Sequence, residues 1–114
     1  MSADTQDGAA EVWKGWSDED AEGKRTYTLK WPKTITITVA GQQREERITQ
    51  VVMRRATGDD LMKMENLTAS KAVSAMFAAV GLLTGLDLAV MKKLDTEDIG
   101  PLGLAATTLL DGGR

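Results

Sequence analysis

The sequence contains neither cysteine nor histidine. The first absence excludes a disulfide framework, thiolate catalysis and thiolate-bound metal. The second removes the side chain behind most general acid–base catalysis near neutral pH and most zinc, copper and iron sites. Catalysis would have to come from carboxylates or lysines alone, and the sequence reads as a non-enzyme that needs no cofactor. Aromatic residues are scarce as well, at one Phe, one Tyr and three Trp, so the core must be built from Leu, Ile, Val, Met and Ala. No segment approaches the ~18–20 apolar residues of a membrane span, and the first residues lack a signal-peptide stretch. A soluble, cytoplasmic protein with no membrane contact is expected.

What is present is unevenly distributed. Residues 1–24 hold seven acids against Lys14 and Lys24, a balance of −5; residues 25–114 hold ten acids and twelve bases, a balance of +2, and together these make the net −3. A nearly neutral body with an acidic end argues against nucleic-acid binding, which requires a basic face. The 114 residues suffice for one domain. Residues 1–24 are rich in Asp, Glu, Ser, Gly and Ala without periodicity and read as an acidic disordered tail. Residues 25–114 read as a single α+β domain. Within the tail, Trp13 and Trp16 precede Ser17-Asp18-Glu19-Asp20. They form either a short docking segment for a partner or a piece that folds back onto the chain's own surface.

The stretch Ile48–Leu67 organises the rest. It runs as a strand to Arg54, breaks at Ala56-Thr57-Gly58 and restarts as a helix. Thr57 can cap that helix while Asp60, three residues on, reaches back to the Thr57 N–H. Behind this pivot, Thr26 to Trp31 alternates, with Tyr27, Leu29 and Trp31 on one face. Pro32 interrupts the ladder and implies an edge or a bend. Thr34 to Val39 alternates strictly, Ala40 to Glu46 reads as a polar turn, and Arg47 to Arg54 as the return strand. The register stays open, because Val51 and Met53 oppose Ile48 and Val52.

Ahead of the pivot, Asp59–Asn66 is expected as a helix with Leu61, Met64 and Leu67 on one stripe. Thr68 or Ser70 caps the next, which runs to about Thr84 with Val73, Phe77, Val80 and Leu83 facing inward. Its many Ala residues, with Gly81, make it thin enough for close packing, and Gly85 ends it. A short turn spans Leu88–Leu94, another starts at Asp95 or Thr96, and the last helix is expected to begin at Pro101. It carries Leu102, Leu104 or Ala105, Leu109 and Leu110. The fold class is α+β: an N-terminal antiparallel hairpin of two or three strands, then a compact bundle of three or four short helices.

The acidic pairs and clusters, Asp59-Asp60 and Asp95, Glu97 and Asp98, sit at helix starts, where capping explains them without a metal. Five methionines, Met53, Met62, Met64, Met76 and Met91, lie in or near the helical half, where thioethers make adaptable apolar surface. The expected partner-contacting face is Met64, Met76, Phe77, Val80 and Leu83, with Arg54 and Arg55 at its rim.

Taken in order, Leu29-Lys30-Trp31-Pro32, the hairpin, Met53-Arg54-Arg55-Ala56-Thr57-Gly58-Asp59-Asp60-Leu61, Thr84-Gly85-Leu86, and Leu94-Asp95 followed by Asp98 resemble the tail assembly chaperones of Mu-like contractile-tailed phages and prophages. The resemblance covers about residues 26–110, and Ala56 stands where the family pattern has Pro. It implies a non-enzymatic role in tail morphogenesis. The implied partners are the tape measure protein, kept from aggregating, the tail tube protein, and other copies of the chain. Two further classes fit the residues: a structural tail or connector subunit retained in the virion, and a small regulatory protein-binding module.

Overall fold

The computed structural model describes residues 11–65 and 72–112. Two long strands form an antiparallel hairpin, β1 (Arg25–Val39) and β2 (Gln42–Met53). Four helices follow: α1 (Gly58–Glu65), α2 (Ala72–Thr84), α3 (Leu88–Met91) and α4 (Thr96–Leu110). This is the expected α+β architecture. The proposed caps Thr68 and Ser70, the helix end at Asn66 and the stripe residue Leu67 lie outside the described residues.

The hairpin turn is tighter than the polar stretch suggests. Val39 pairs with Gln42, leaving Ala40 and Gly41 as a two-residue loop. Both have positive φ, 54° and 81°, the backbone of a type I′ turn that matches strand twist. β2 therefore begins at Gln42, not Arg47, because polar side chains on a ribbon open to water do not prevent ladder formation.

The ambiguous register has a definite cause. Thr28 faces Gln50 while Lys33 faces Ile48; β1 advances five residues while β2 retreats two, so β1 carries three more. Residues paired across a ladder share a face. An odd offset therefore puts Val51 and Met53 with Tyr27 and Arg25 below the bulge, and Ile48 with Lys33 and Ile35 above it. Val52, on the face opposite Val51 and Met53, is exposed. Trp31, expected on the Tyr27 face, falls inside the irregularity and is exposed too.

A bulge of this size takes backbone N–H groups off the ladder. Pro32 has none to lose, but Lys30 and Trp31 do. Both donate to one carboxylate, Lys30 N to Asp98 Oδ1 at 2.9 Å and Trp31 N to Asp98 Oδ2 at 3.1 Å. The Tyr27 hydroxyl donates to Asp98 Oδ1 at 3.0 Å. Asp98 is fully buried and sits in the first turn of α4, whose dipole favours its charge. Next to it, the Trp31 indole N–H donates to Glu97 Oε1 at 3.1 Å.

This anchoring explains why α4 starts at Thr96 and not at Pro101. Asp95 caps the helix by accepting from the Glu97 N–H, and Asp98 ties its first turn to the bulge. These contacts offset the bond to the Glu97 carbonyl that Pro101 cannot donate.

The core joins Tyr27, Leu29, Val51 and Met53 of the hairpin to Val80, Leu83, Met91, Leu102 and Ala105 of the helices. α2 packs on α4 through small residues, as its thin outline requires. Ala79, Ala105 and Ala106 are fully buried, and a Cβ at Gly103 would run into Met76. Gly85, with φ 78°, ends α2 with its N–H on the Gly81 carbonyl at 2.8 Å.

From residue 11 on, the expected disordered tail is instead an ordered segment lying against the domain. Trp13 and Trp16 pack on the core, and Trp16 bridges to Tyr27 at the edge of β1. Two indoles carry enough apolar surface to hold an otherwise acidic segment down. Residues 1–10 lie outside the described part.

Three outcomes are expected from this geometry. Ala40→Asn, which tolerates positive φ, should stabilise the chain by about 1 kcal/mol, read as a rise in the thermal midpoint. Asp98→Ala leaves three donors without their acceptor and should cost about 3 kcal/mol in chemical denaturation. Tyr27 is the sole tyrosine, so its phenolate absorbance reports on the same contact. Burial, then the neighbouring Asp98, pushes its pKa up to about 12. Stability from the neutral phenol is thus complete below about pH 10 and lost as pH rises toward the folded value. In any Asp98→Ala chain that remains folded, the phenol should titrate earlier.

Candidate partner-binding surface

The turn from β2 into α1 is built around Arg54 and Asp60. Arg54 donates through Nη1 to Asp60 Oδ2 at 2.7 Å and through Nη2 to Asp60 Oδ1 at 2.9 Å, a two-point match of guanidinium to carboxylate. Asp60 also accepts from the Thr57 N–H at 2.7 Å and the Thr57 hydroxyl at 3.1 Å. The reciprocal bond, Asp60 N–H to Thr57 Oγ1, is long at 3.4 Å. The capping arrangement expected from Thr57 and Asp60 is therefore present, and it carries an arginine as well.

Arg54 does more than neutralise that carboxylate. Its Nη2 donates to the Leu82 carbonyl at 3.0 Å and its backbone N–H to the Leu83 carbonyl at 3.1 Å. Both are orphan acceptors in the last turn of α2, where a cation is favoured. The side chain placed at the rim of a partner surface is thus committed to joining β2, α1 and α2. The Arg54 hydrogen bonds hold the Asp60 carboxyl well below the usual carboxylate range despite its burial. The same contact raises the Arg54 pKa. Asp59, beside it, is exposed and pairs with Lys63 at 3.1 Å.

The remaining expected surface residues separate into two groups. Val80 and Leu83 are buried in the core, because the face of α2 they share is covered by the chain's own hairpin and helices; they are not available to a partner. Met64, Met76 and Phe77 are half-buried against that core. Arg55 is exposed and pairs with Glu19 at 3.3 Å. Trp13 and Trp16 are half-buried, edge to face with centroids 5.5 Å apart.

Other apolar side chains stand out from the domain. On α1, Leu61 is 52% and Met62 66% exposed; at the start of α2, Val73 is 62% exposed. Leu61 was expected on one stripe of α1 with Met64, and Val73 on the inward stripe of α2. With Asp60 buried instead, α1 is rotated so that its charge-paired side, not Leu61, faces the domain. Leu61 lines a groove of about 290 Å³ with Ala56, Leu109 and Leu110. Met62 and Val73 lie on either side of residues 66–71 along the chain. Periodicity did not reveal this set, since it marks which residues share a face and not which face is covered.

Among the described residues, no group of three or more Asp or Glu side chains is placed to hold a metal ion, and no helix is long and apolar enough to cross a membrane. The features that stand out are exposed apolar helix surface and an outer edge of β2 that pairs with no other strand among those residues. Both belong to a small α+β domain. The chain belongs to the phage tail assembly chaperones: residues 26–111 match the family described as "Phage tail assembly chaperone proteins, E, or 41 or 14". That family points to a non-enzymatic protein with protein partners in tail assembly. No curated protein and no solved structure matches the chain.

The Arg54–Asp60 pair makes an acid-side prediction. Its stability is complete above the ordinary aspartate value near 4 and is lost as pH falls through the depressed folded value. The thermal midpoint should therefore drop below about pH 4 in the wild type, with a shallower drop in Asp60→Asn. At pH 7, Arg54→Ala should cost about 2–3 kcal/mol by denaturant titration. That is less than breaking a fully enclosed pair, because the guanidinium side chain is 40% exposed.

Proposed function

We propose that this chaperone holds the tape measure protein in the bacterial cytoplasm during assembly of a Mu-like contractile tail. It keeps that client from aggregating and helps bring tail tube subunits to it. The observation that carries the reading is the apolar surface left outside a complete core, Leu61, Met62 and Val73, in a chain of the tail assembly chaperone family. Single exposed apolar residues are ordinary on any surface. Here three of them lie on α1 and the first turn of α2, within a few residues along the chain of the half-buried Met64, Met76 and Phe77, and flexible thioethers conform to varied apolar clients. A helical client lays its own apolar stripe against such a surface. Self-association belongs to the same reading, with the unpaired edge of β2 as its natural route.

Co-expression with the tape measure protein encoded nearby tests this. A tagged chain should co-purify with soluble tape measure protein, and omitting the chain should leave the client insoluble. Met62→Asp and Val73→Asp should each change stability by no more than about 0.5 kcal/mol, yet together sharply reduce the recovered client. Val80→Asp should instead unfold the domain. Recovery of the chain in finished particles, without a soluble complex, would favour a structural tail subunit.

A further inference from the structure

Residues 11–24 lie outside the family match, which begins at residue 26, yet they are held on the domain by a specific set of contacts. The Ser17 N–H donates to the Thr26 carbonyl at 2.8 Å and the Thr26 N–H to Ser17 Oγ at 2.9 Å. This continues the Trp16–Tyr27 bridge as a minimal extra strand. The Trp16 ring lies 5.2 Å from that of Tyr27, and the Arg25 guanidinium lies 4.3 Å over the Trp13 ring. Glu19 sits between two arginines, accepting from Arg25 Nη2 and from Arg55 Nη1, each at 3.3 Å. The recognition elements are Trp13, Trp16 and Glu19, evenly spaced three residues apart.

The fit is incomplete in one respect. The indole N–H groups of Trp13 and Trp16 are both buried and find no acceptor among the described residues. A buried donor without a partner carries its full desolvation cost, which release into water removes. Of the two ion pairs of Glu19, the one to Arg55, whose side chain is 55% exposed, holds weakly. The segment therefore has both a defined seat and a low barrier to leaving it, as expected of a unit that opens below global unfolding.

We propose that residues 11–24 are a removable cover over a peptide-binding surface, made of the outer edge of β1 at Thr26 and Tyr27 with Arg25 and Arg55. The occupant it fits is an extended segment of a separate protein, bearing two aromatic side chains three residues apart and a carboxylate three further on. Such a segment reproduces the strand bond, the ring contacts and the bridging of the two arginines. It displaces the cover where its own aromatic N–H or O–H groups reach acceptors or stay in water. This surface is independent of the apolar face on α1 and α2, so either assignment can fail without the other.

The test uses the full chain and a fluorescein-labelled peptide of residues 11–24, followed by fluorescence anisotropy. A Trp16→Ala/Glu19→Lys chain, with its own cover released, should bind the peptide at least about tenfold more tightly than the wild type. Adding Arg55→Glu to that chain should weaken binding by about fivefold or more. Equal binding to the wild-type and released chains, no binding to either, or unfolding of the released chain would each overturn the proposal. Hydrogen exchange on the unaltered protein gives a second, variant-free reading. The Ser17 and Thr26 amides should exchange at least about tenfold faster than those of Val80 and Leu102; exchange at the core rate would make the segment integral. A wild-type dimer that Trp16→Ala abolishes would reassign the surface to exchange between copies and also refute it.

Discussion

A single buried carboxylate holds the two halves of this protein together. Three residues added to β1 open the ladder between Thr28 and Lys33, and the opening would strand two backbone donors beside the core. Asp98 receives both, together with the Tyr27 hydroxyl. Backbone donors cannot be left unpaired in a buried place without a large penalty. The bulge and the start of α4 are therefore one unit and not two neighbouring elements. Beyond that first turn, α4 packs on α2, with Ala105 and Ala106 fully buried.

Arg54 and Asp60 do the equivalent work at the open end of the hairpin, where the chain leaves β2. There Arg54, through its guanidinium and its backbone N–H, gathers the start of α1 and two of the last carbonyls of α2 onto the end of β2. Because Asp60 has to point inward to meet it, the apolar neighbours Leu61 and Met62 are turned outward. The exposed apolar surface of α1 is thus a consequence of a polar contact beneath it. A domain built this way keeps a closed core while leaving apolar side chains of α1 outside it.

Much of this was legible in the residues. Alternation in Thr34–Val39 and the return strand marked the hairpin. Thr57 with Asp60 marked the start of α1 to within a residue, and Gly85 marked the end of α2. The order of these motifs also pointed to the family. The failures share a cause. Val80 and Leu83 were placed on an inner stripe with Val73 and also on a binding face, because a helical stripe does not say what covers it. Pro101 was taken as a helix start because the turn before it is stabilised by Asp98 from a partner some seventy residues away. Residues 11–24 were taken as disordered because their charge outweighs two indoles locally, and Tyr27 enters that balance only after the chain has folded back.

What the sequence determined by itself was local: strand and helix periods, caps, turns, the absence of imidazole and thiol chemistry, and the acidic end. These depend on residues within a turn or two of each other. The tertiary structure decided the rest: the strand register, the start of α4, the burial of Asp60 and Asp98, and which apolar residues remain outside. Asp98 meets donors some seventy residues away, and Asp60, though its own partners are local, is enclosed where Arg54 also reaches the Leu82 carbonyl of α2. Such burial is set by where two elements meet in space, and neither segment carries it alone.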